Sequence, residues 1–284
     1  GDTVVALPPD GLGSYVTVDS RWVTKAPPNL TPEEAVAGTA VYATAWLGLL
    51  WQGRLCQGER VLVHSAAGGV GLAAVHLCLR RGCEVHATAS TEEKRAFLLG
   101  LGVKGVYDSR SPESFEKGVR DATNGEGVDV VLNSLSGEAI PASLRLLRPF
   151  GRFVEIGKRD QYEGTGLNLA PFLNGLTYTV AHLDVLTLEY PERGRKLLEE
   201  VWSDLHSLPK LPTRTFPLSA LHQALEYFAK GVHIGKVLIS IDGLTPVWPA
   251  TPAGVIGPKT DRVAASLREA LDTDEARGGI VCVP

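Results

Sequence analysis

From residue 60 onward the hydrophobic positions switch repeatedly between two periods. Short continuous apolar runs of strand length are followed by longer stretches whose apolar residues recur three or four apart, which is how buried strands alternate with helices. The spacing predicts strand 60–65, helix 70–81, strand 84–89, helix 91–101, a short strand at 105–107, helix 112–123, strand 128–133, helix 137–147 and strand 150–156. Such βα repeats make a doubly wound α/β fold, a parallel sheet covered on both faces. Upstream, β-type runs at 3–7 and 14–18, punctuated by Pro8-Pro9 and Pro27-Pro28, predict a small β region. Thr31-Pro-Glu-Glu then starts a helix, with threonine as cap, proline in the first turn and two carboxylates at the positive end of the dipole. After residue 190 the pattern reads helix 192–206, Pro-rich loop 209–217, helix 218–230 and strand 233–239, returning to the β region of residues 1–30. Pro, Thr and Gly dominate 242–260, which reads as a linker. A short helical pattern at 261–271 follows, and 261–284 reads as the edge of a further region.

The junction between the first strand and helix of the repeat carries the chemistry. Ala66-Ala-Gly68-Gly-Val-Gly71 follows an apolar strand and opens a helix, close to the Rossmann pattern G-x-G-x-x-G with alanine at its first glycine. Ala67, Gly68, Gly69, Val70 and Gly71 form a tight turn whose backbone N–H groups face an approaching pyrophosphate at the helix N-terminus. A dinucleotide cofactor and redox chemistry are the expectation; the alternative is a close strand–helix turn without a ligand. The next strand ends in Ala89 and Ser90, where an NAD-specific site places a carboxylate on the ribose. With Lys94, Arg95 and Arg110 nearby, NADPH is favoured over NADH. Taken singly, Lys94 and Arg95 read as a solvated helix face. Asn133 and Ser134 end the strand 128–133, on the sheet edge where such folds bind ligands.

Composition narrows the partners. Twenty-eight basic against 32 acidic residues leave a net charge of −4, so neither nucleic acid nor an anionic membrane is expected. The most apolar stretch, 35–51, is too short to span a bilayer. Hydrophobic residues make up 44% and charged residues 21%, enough for a sizeable core. Cys56, Cys78, Cys83 and Cys282 lack metal-ligand spacing, so no metal and no disulfide framework is expected, and Cys78 and Cys83 read as buried thiols in a reducing, cytoplasmic setting. The chain has no methionine and opens on Gly1-Asp-Thr, which reads as a piece cut from a larger polypeptide.

Four segments occur in order: Leu62-Val-His-Ser-Ala-Ala-Gly-Gly-Val-Gly71, Val130-Val-Leu-Asn-Ser-Leu-Ser-Gly137, Gly151-Arg-Phe-Val-Glu-Ile-Gly-Lys158 and His233-Ile-Gly-Lys236. As a set they resemble the enoyl reductase domain of polyketide synthases and animal-type fatty acid synthases, in the zinc-independent branch of the medium-chain dehydrogenase/reductase superfamily. The resemblance covers about residues 1 to 240. It implies a GroES-like substrate domain, partial here because its first part is missing, beside an NADPH-binding Rossmann domain. The division expected is 1–42 for the partial substrate domain, 43–190 for the cofactor domain, 191–241 for the return to the substrate domain and 242–284 for linker and a following region. The reaction implied is NADPH-dependent reduction of an α,β-unsaturated thioester on an acyl carrier protein, among neighbouring synthase domains and, in some relatives, as a homodimer.

The same resemblance implies Lys158 and Asp184 as the proton-donor pair. Some modular enzymes place the aspartate where this chain has His182, which makes His182 a runner-up. It also implies Thr44 and Gly157 near the nicotinamide, Ser90, Lys94 and Arg110 around the 2′-phosphate, and Gly235, Lys236 and Val237 along the cofactor. Thr44 reads equally as helix packing, and core or surface roles suffice for His64, His76 and His86. Two other readings stay open. One is a non-catalytic remnant that scaffolds its neighbours; the other is a related NADPH enzyme acting on quinones or closing a ring by hydride addition.

Overall fold

The computed structural model describes residues 1–8, 11–12, 15–241 and 281–283. The elements run β1 (Val4–Ala6), β2 (Val23–Lys25), α1 (Pro32–Trp46), β3 (Arg60–Val63), α2 (Gly69–Arg80), β4 (Glu84–Ala89), α3 (Glu92–Gly100), β5 (Gly105–Asp108), α4 (Pro112–Ala122) and β6 (Val128–Asn133). They continue with α5 (Ala139–Arg145), β7 (Leu147–Glu155), α6 (Arg159–Glu163), β8 (Thr177–Val180), α7 (Leu183–Glu189), α8 (Pro191–Asp204), β9 (Thr213–Pro217), α9 (Leu221–Ala229), β10 (Lys236–Ser240) and β11 (Val281–Val283). Six strands form one sheet in the order β5-β4-β3-β6-β7-β8, every pairing parallel. The strand order reverses between β3 and β6, so the ends of these two strands flank the crevice where such sheets take ligands.

The parallel sheet matches the βα alternation because its strands are apolar throughout: Val61, Leu62, Val63, Val130, Val131 and Leu132 are all buried. Thr31 caps α1 as expected and completes a reciprocal capping box with Glu34. α1 runs on into a π-helical turn, Leu47–Gln52, whose Leu49 is fully buried. His64 is a core histidine between Thr88 and Ser143, and burial pushes its pKa down to about 3.

Several local expectations are corrected. The expected run at 14–18 forms no strand in its described part, 15–18. Asp19 instead accepts from Arg21 N, caps a 3-10 turn at Ser20–Trp22 that buries Trp22, and starts the return strand at Val23, which pairs antiparallel with β1. β7 begins at Leu147 rather than 150 because Phe150, with φ of 64°, and a register shift between Val128 and Val130 let the strand start across Pro149. β8 has no counterpart in the expected elements; its alternating Thr-Tyr-Thr-Val reads weakly as a strand until Tyr178 stacks on Phe153 of β7. The Pro-rich loop contains β9, paired in parallel to β10, and the strand expected at 233 begins only at Lys236. Helices at 192–206 and 218–230 each give one end to a 3-10 turn, at Leu205–Ser207 and Leu218–Ala220. The linker at 242–260 and the helical pattern at 261–271 lie outside the described residues.

β9, β10 and β11 form a second sheet, while β1 and β2 form a two-stranded ribbon. α8 reaches the ribbon through Arg195, whose Nη1 donates to Arg21 O at 3.1 Å and Val23 O at 3.0 Å. Among the described residues no helix is long and apolar enough to cross a membrane.

Candidate functional site

All six strands of the main sheet point the same way, so the segments that follow β3, β4, β6, β7 and β8 gather on one edge. The turn after β3 is tight. Ser65 lies in the left-handed region at φ of 47°, Gly68 N donates to Ser65 O at 3.0 Å, and a Cβ on Gly71 would stand 2.5 Å from Ser65 O and 2.6 Å from Ala66 Cα. Only glycine fits there, and the resulting close approach aims the start of α2 across the turn. Gly68 caps α2 with no side-chain hydrogen bond, so no capping side chain takes the first-turn N–H groups.

The segment leading into β10 closes over this turn. Gly235 N donates to Ala67 O at 2.9 Å, and Gly235 bridges Gly68 as an isolated pair in parallel register. The Lys236 stem lies against Gly69, where a Cβ would come within 3.3 Å of Cδ. Lys236 is buried, which pulls its pKa down to about 7. His233 is lowered to about 4, by burial first and by the fields of Lys94 and Lys236 after it. Val237 is fully buried in β10, and Thr44, half-buried on α1, donates through Oγ1 to Ala40 O at 2.9 Å, the helix-packing contact that the sequence left open for it.

Three buried hydroxyls mark the strand ends. Ser65, Ser90 and Ser134, following the adjacent strands β3, β4 and β6, each hold an Oγ with no hydrogen-bond partner among the described residues. Buried hydroxyls normally find partners, so three on neighbouring strand ends fit a polar ligand lying across them. Together with the uncapped α2 and the close backbone turn at Gly71, they fit a dinucleotide. Ser65 is absent from the sequence-derived candidates, because its significance depends on burial.

Lys94 departs from the solvated face expected of it. It is 6% exposed, and its Nζ donates to Gly231 O at 2.5 Å, tying α3 to the segment leading into β10. Arg95 donates to Ala89 O and pairs with Glu92, while Arg110 stays exposed beyond β5.

Lys158 and Asp184 meet in an ion pair across the ends of β7 and β8. Lys158 occupies the cap position of α6, and Asp184 lies in the first turn of α7. Burial pushes the Asp184 carboxyl up, but the Lys158 ammonium, Val185 N–H and the field of His182 outweigh it and leave it below the usual carboxylate range. Beside them a shallow depression is lined by Ser134, Glu155, Gly157, Asp160 and Tyr178, among others. Glu155, 3% exposed, is raised from 4.5 to about 8, chiefly by burial, against hydrogen bonds from Asn133 and Gly157 N that favour its charge. Asn133 therefore turns its amide inward to Glu155 and Leu135 rather than outward.

Residues 69–200 match the family model described as "Zinc-binding dehydrogenase". Among the described residues no three His, Cys, Asp or Glu side chains come together as a metal site, so these residues do not fit the zinc of that description. The phthioceranic/hydroxyphthioceranic acid synthase of Mycobacterium tuberculosis is 42% identical over 244 residues, covering 85% of this chain and 11% of that protein. The chain thus spans only a small part of the curated relatives it matches. The crystal structure of the CurK enoyl reductase superposes with a TM-score of 0.75 at 38% identity, covering 84% of this chain and 71% of that one. The nucleotide-binding subdomain of the enoylreductase domain of PpsC from Mycobacterium tuberculosis superposes at 0.58 with 43% identity, covering 61% and 97%.

Proposed function

The chain belongs to the enoyl reductase domains of polyketide synthases, in the medium-chain dehydrogenase/reductase superfamily, and we propose that it reduces an α,β-unsaturated acyl thioester on an acyl carrier protein with NADPH. Its family is one of oxidoreductases that work with a nicotinamide cofactor. The observation that carries the reading is the Lys158–Asp184 pair on the same sheet edge as the uncapped α2 N-terminus. One end of that edge suits a pyrophosphate, and the other suits proton delivery.

Bound NADPH supplies the hydride that reduces the β-carbon of the thioester. The protein's part is to hold and to protonate. Ala67 to Gly71 and the start of α2 cradle the pyrophosphate, with Gly235, Lys236 and Val237 closing over it. Ser90 and Arg110 take the 2′-phosphate, and Lys94 adds positive charge beneath them. The end of β4 carries no carboxylate to repel that phosphate. Thr44, Asn133, Ser134 and Gly157 shape the nicotinamide end. Lys158 gives the proton at the α-carbon and offsets the charge that develops on the thioester oxygen, while Asp184 keeps its ammonium oriented.

In this reading residues 43–190 form the cofactor domain, and 1–42 with 191–241 are parts of a substrate-side domain. The neighbouring domains of a larger synthase supply the acyl carrier protein. The test follows NADPH absorbance with a short enoyl-pantetheine thioester, using the full-length polypeptide that carries this chain. Steady NADPH consumption with a saturated product supports the reading. NADPH oxidised by a quinone with the thioester untouched overturns it.

A further inference from the structure

A carboxylate buried at the end of a strand needs donors on its oxygens or a proton in place of its charge. Glu155 ends β7 between Val154 and Ile156, almost fully buried. Its Oε1 accepts from Gly157 N at 2.6 Å, and its Oε2 accepts from Asn133 Nδ2 at 2.6 Å. Asn133 uses the rest of its amide on the turn after β6: Nδ2 also donates to Leu135 O at 2.7 Å, and Oδ1 accepts from Leu135 N at 3.2 Å. A continuous hydrogen-bonded chain therefore runs from Gly157 through Glu155 and Asn133 to Leu135, across the ends of two adjacent strands. Lys158 follows Gly157 directly, and Ser134 sits inside the Asn133–Leu135 turn.

Gly157 carries an independent sign of the same contact. Its φ is not among the positive values, so conformational freedom is not what calls for glycine there. A Cβ at 157 would instead lie 2.8 Å from Glu155 Oε1. The carboxylate occupies the space a side chain would take.

We propose that Glu155 is a positioning residue: it latches the turn bearing Lys158 to the turn bearing Ser134, so that the proton-donating ammonium and the hydroxyl beside the cofactor keep one fixed spacing. The proposal rests on the reductase reading above and deepens it. Glu155 reaches no substrate itself; it acts through the two turns it joins. A small misplacement of a donor relative to a reacting carbon lowers the rate far more than it weakens ground-state binding.

The experiment uses the full-length polypeptide, NADPH and a short enoyl-pantetheine thioester, and compares Glu155→Gln, Gly157→Ala and the double variant. Glutamine puts an N–H where Asn133 Nδ2 needs an acceptor, and alanine at 157 pushes the carboxylate off its backbone donor. Each single variant is expected to lower kcat about tenfold or more, and in Glu155→Gln, which touches neither substrate nor cofactor, the thioester KM and the NADPH Kd are expected to stay within about threefold. The double variant is expected to be no slower than the slower single, because both break one latch. Asn133→Ala cuts the chain at its other end and carries the test if Glu155→Gln does not fold. Folded variants that keep the wild-type kcat, or losses that multiply, overturn the latch while the reductase reading stands. A wild type that binds NADPH but leaves the thioester unreduced overturns that reading, and the latch with it.

Discussion

At the amino-terminal end of the six-stranded sheet, Arg152 donates to Gly53 O at 2.9 Å and to Glu59 at 2.6 Å, and Glu59 also accepts from Cys56 N. There Asp129 takes Arg60 N and Arg148, and Arg60 pairs with Glu126 and Glu84. At the carboxyl-terminal end, Ser65, Ser90 and Ser134 keep buried hydroxyls with no partner among the described residues, and α2 begins without a side-chain cap. The same strands carry both ends, so strand chemistry does not explain the contrast. The amino-terminal end closes these charged groups on one another, which serves stability; the carboxyl-terminal end, beside the closed Glu155–Asn133 contact, keeps three buried hydroxyls unpaired among the described residues, which suits a ligand in the proposed reading.

The largest effect expected from breaking that contrast comes at Gly71. Gly71→Val forces a side chain into backbone atoms that even a Cβ would meet at 2.5 to 2.6 Å. The expected outcome is a destabilisation of roughly 4 kcal/mol or more and loss of NADPH binding, read by chemical denaturation and cofactor titration. Next is Lys158→Ala, which is expected to lower kcat about 100-fold while the NADPH Kd moves less than about twofold. An unchanged kcat would remove Lys158 from proton delivery.

Smaller again is the pH signature of Glu155. Its folded pKa, about 8, lies above the ordinary 4.5, so between those values the folded chain holds more of this proton than the unfolded chain does. The stability it contributes is present in full below about pH 4.5 and is lost as pH rises through 8. His64 and His233, lowered to about 3 and about 4, run the other way and lose stability as pH falls below about 6.5. Comparing Tm for the wild type and Glu155→Gln at pH 5 and pH 8 isolates the carboxyl: the wild type is expected to fall more on that rise. The smallest effect belongs to the closed end. Arg152→Ala is expected to lower stability by about 1 to 2 kcal/mol and leave the NADPH Kd unchanged, which equilibrium unfolding and cofactor titration check together.

The open end was legible where its cause is local. The glycine turn, the strand at 128–133 and the capped start of α1 follow from spacing and from residues within one turn of each other. What remained hidden depends on neighbours distant in sequence. β8 is a strand because β7 lies beside it, and Lys94 is buried because Gly231 arrives over it. Glu155 lies within the segment Gly151–Lys158, and the resemblance implies no role for it. A single carboxylate between Val154 and Ile156, at the end of an apolar strand, was the available signal. Ser90 and Ser134 stand out by their places after strands, whereas Ser65 gives no signal, since serine after a strand is ordinary turn chemistry until burial removes its water.

The bridge from Gly68 to Gly235 also sets a timetable. Gly235 N reaches Ala67 O across 168 residues of sequence, so the turn leaves the ribosome long before the segment that completes it. At about 5 to 20 residues per second that interval is roughly ten to thirty seconds, far longer than a helix or a βα unit takes to form. The turn and its sheet partners β4 and β6 are therefore all synthesised before the segment that bridges to Gly68 exists.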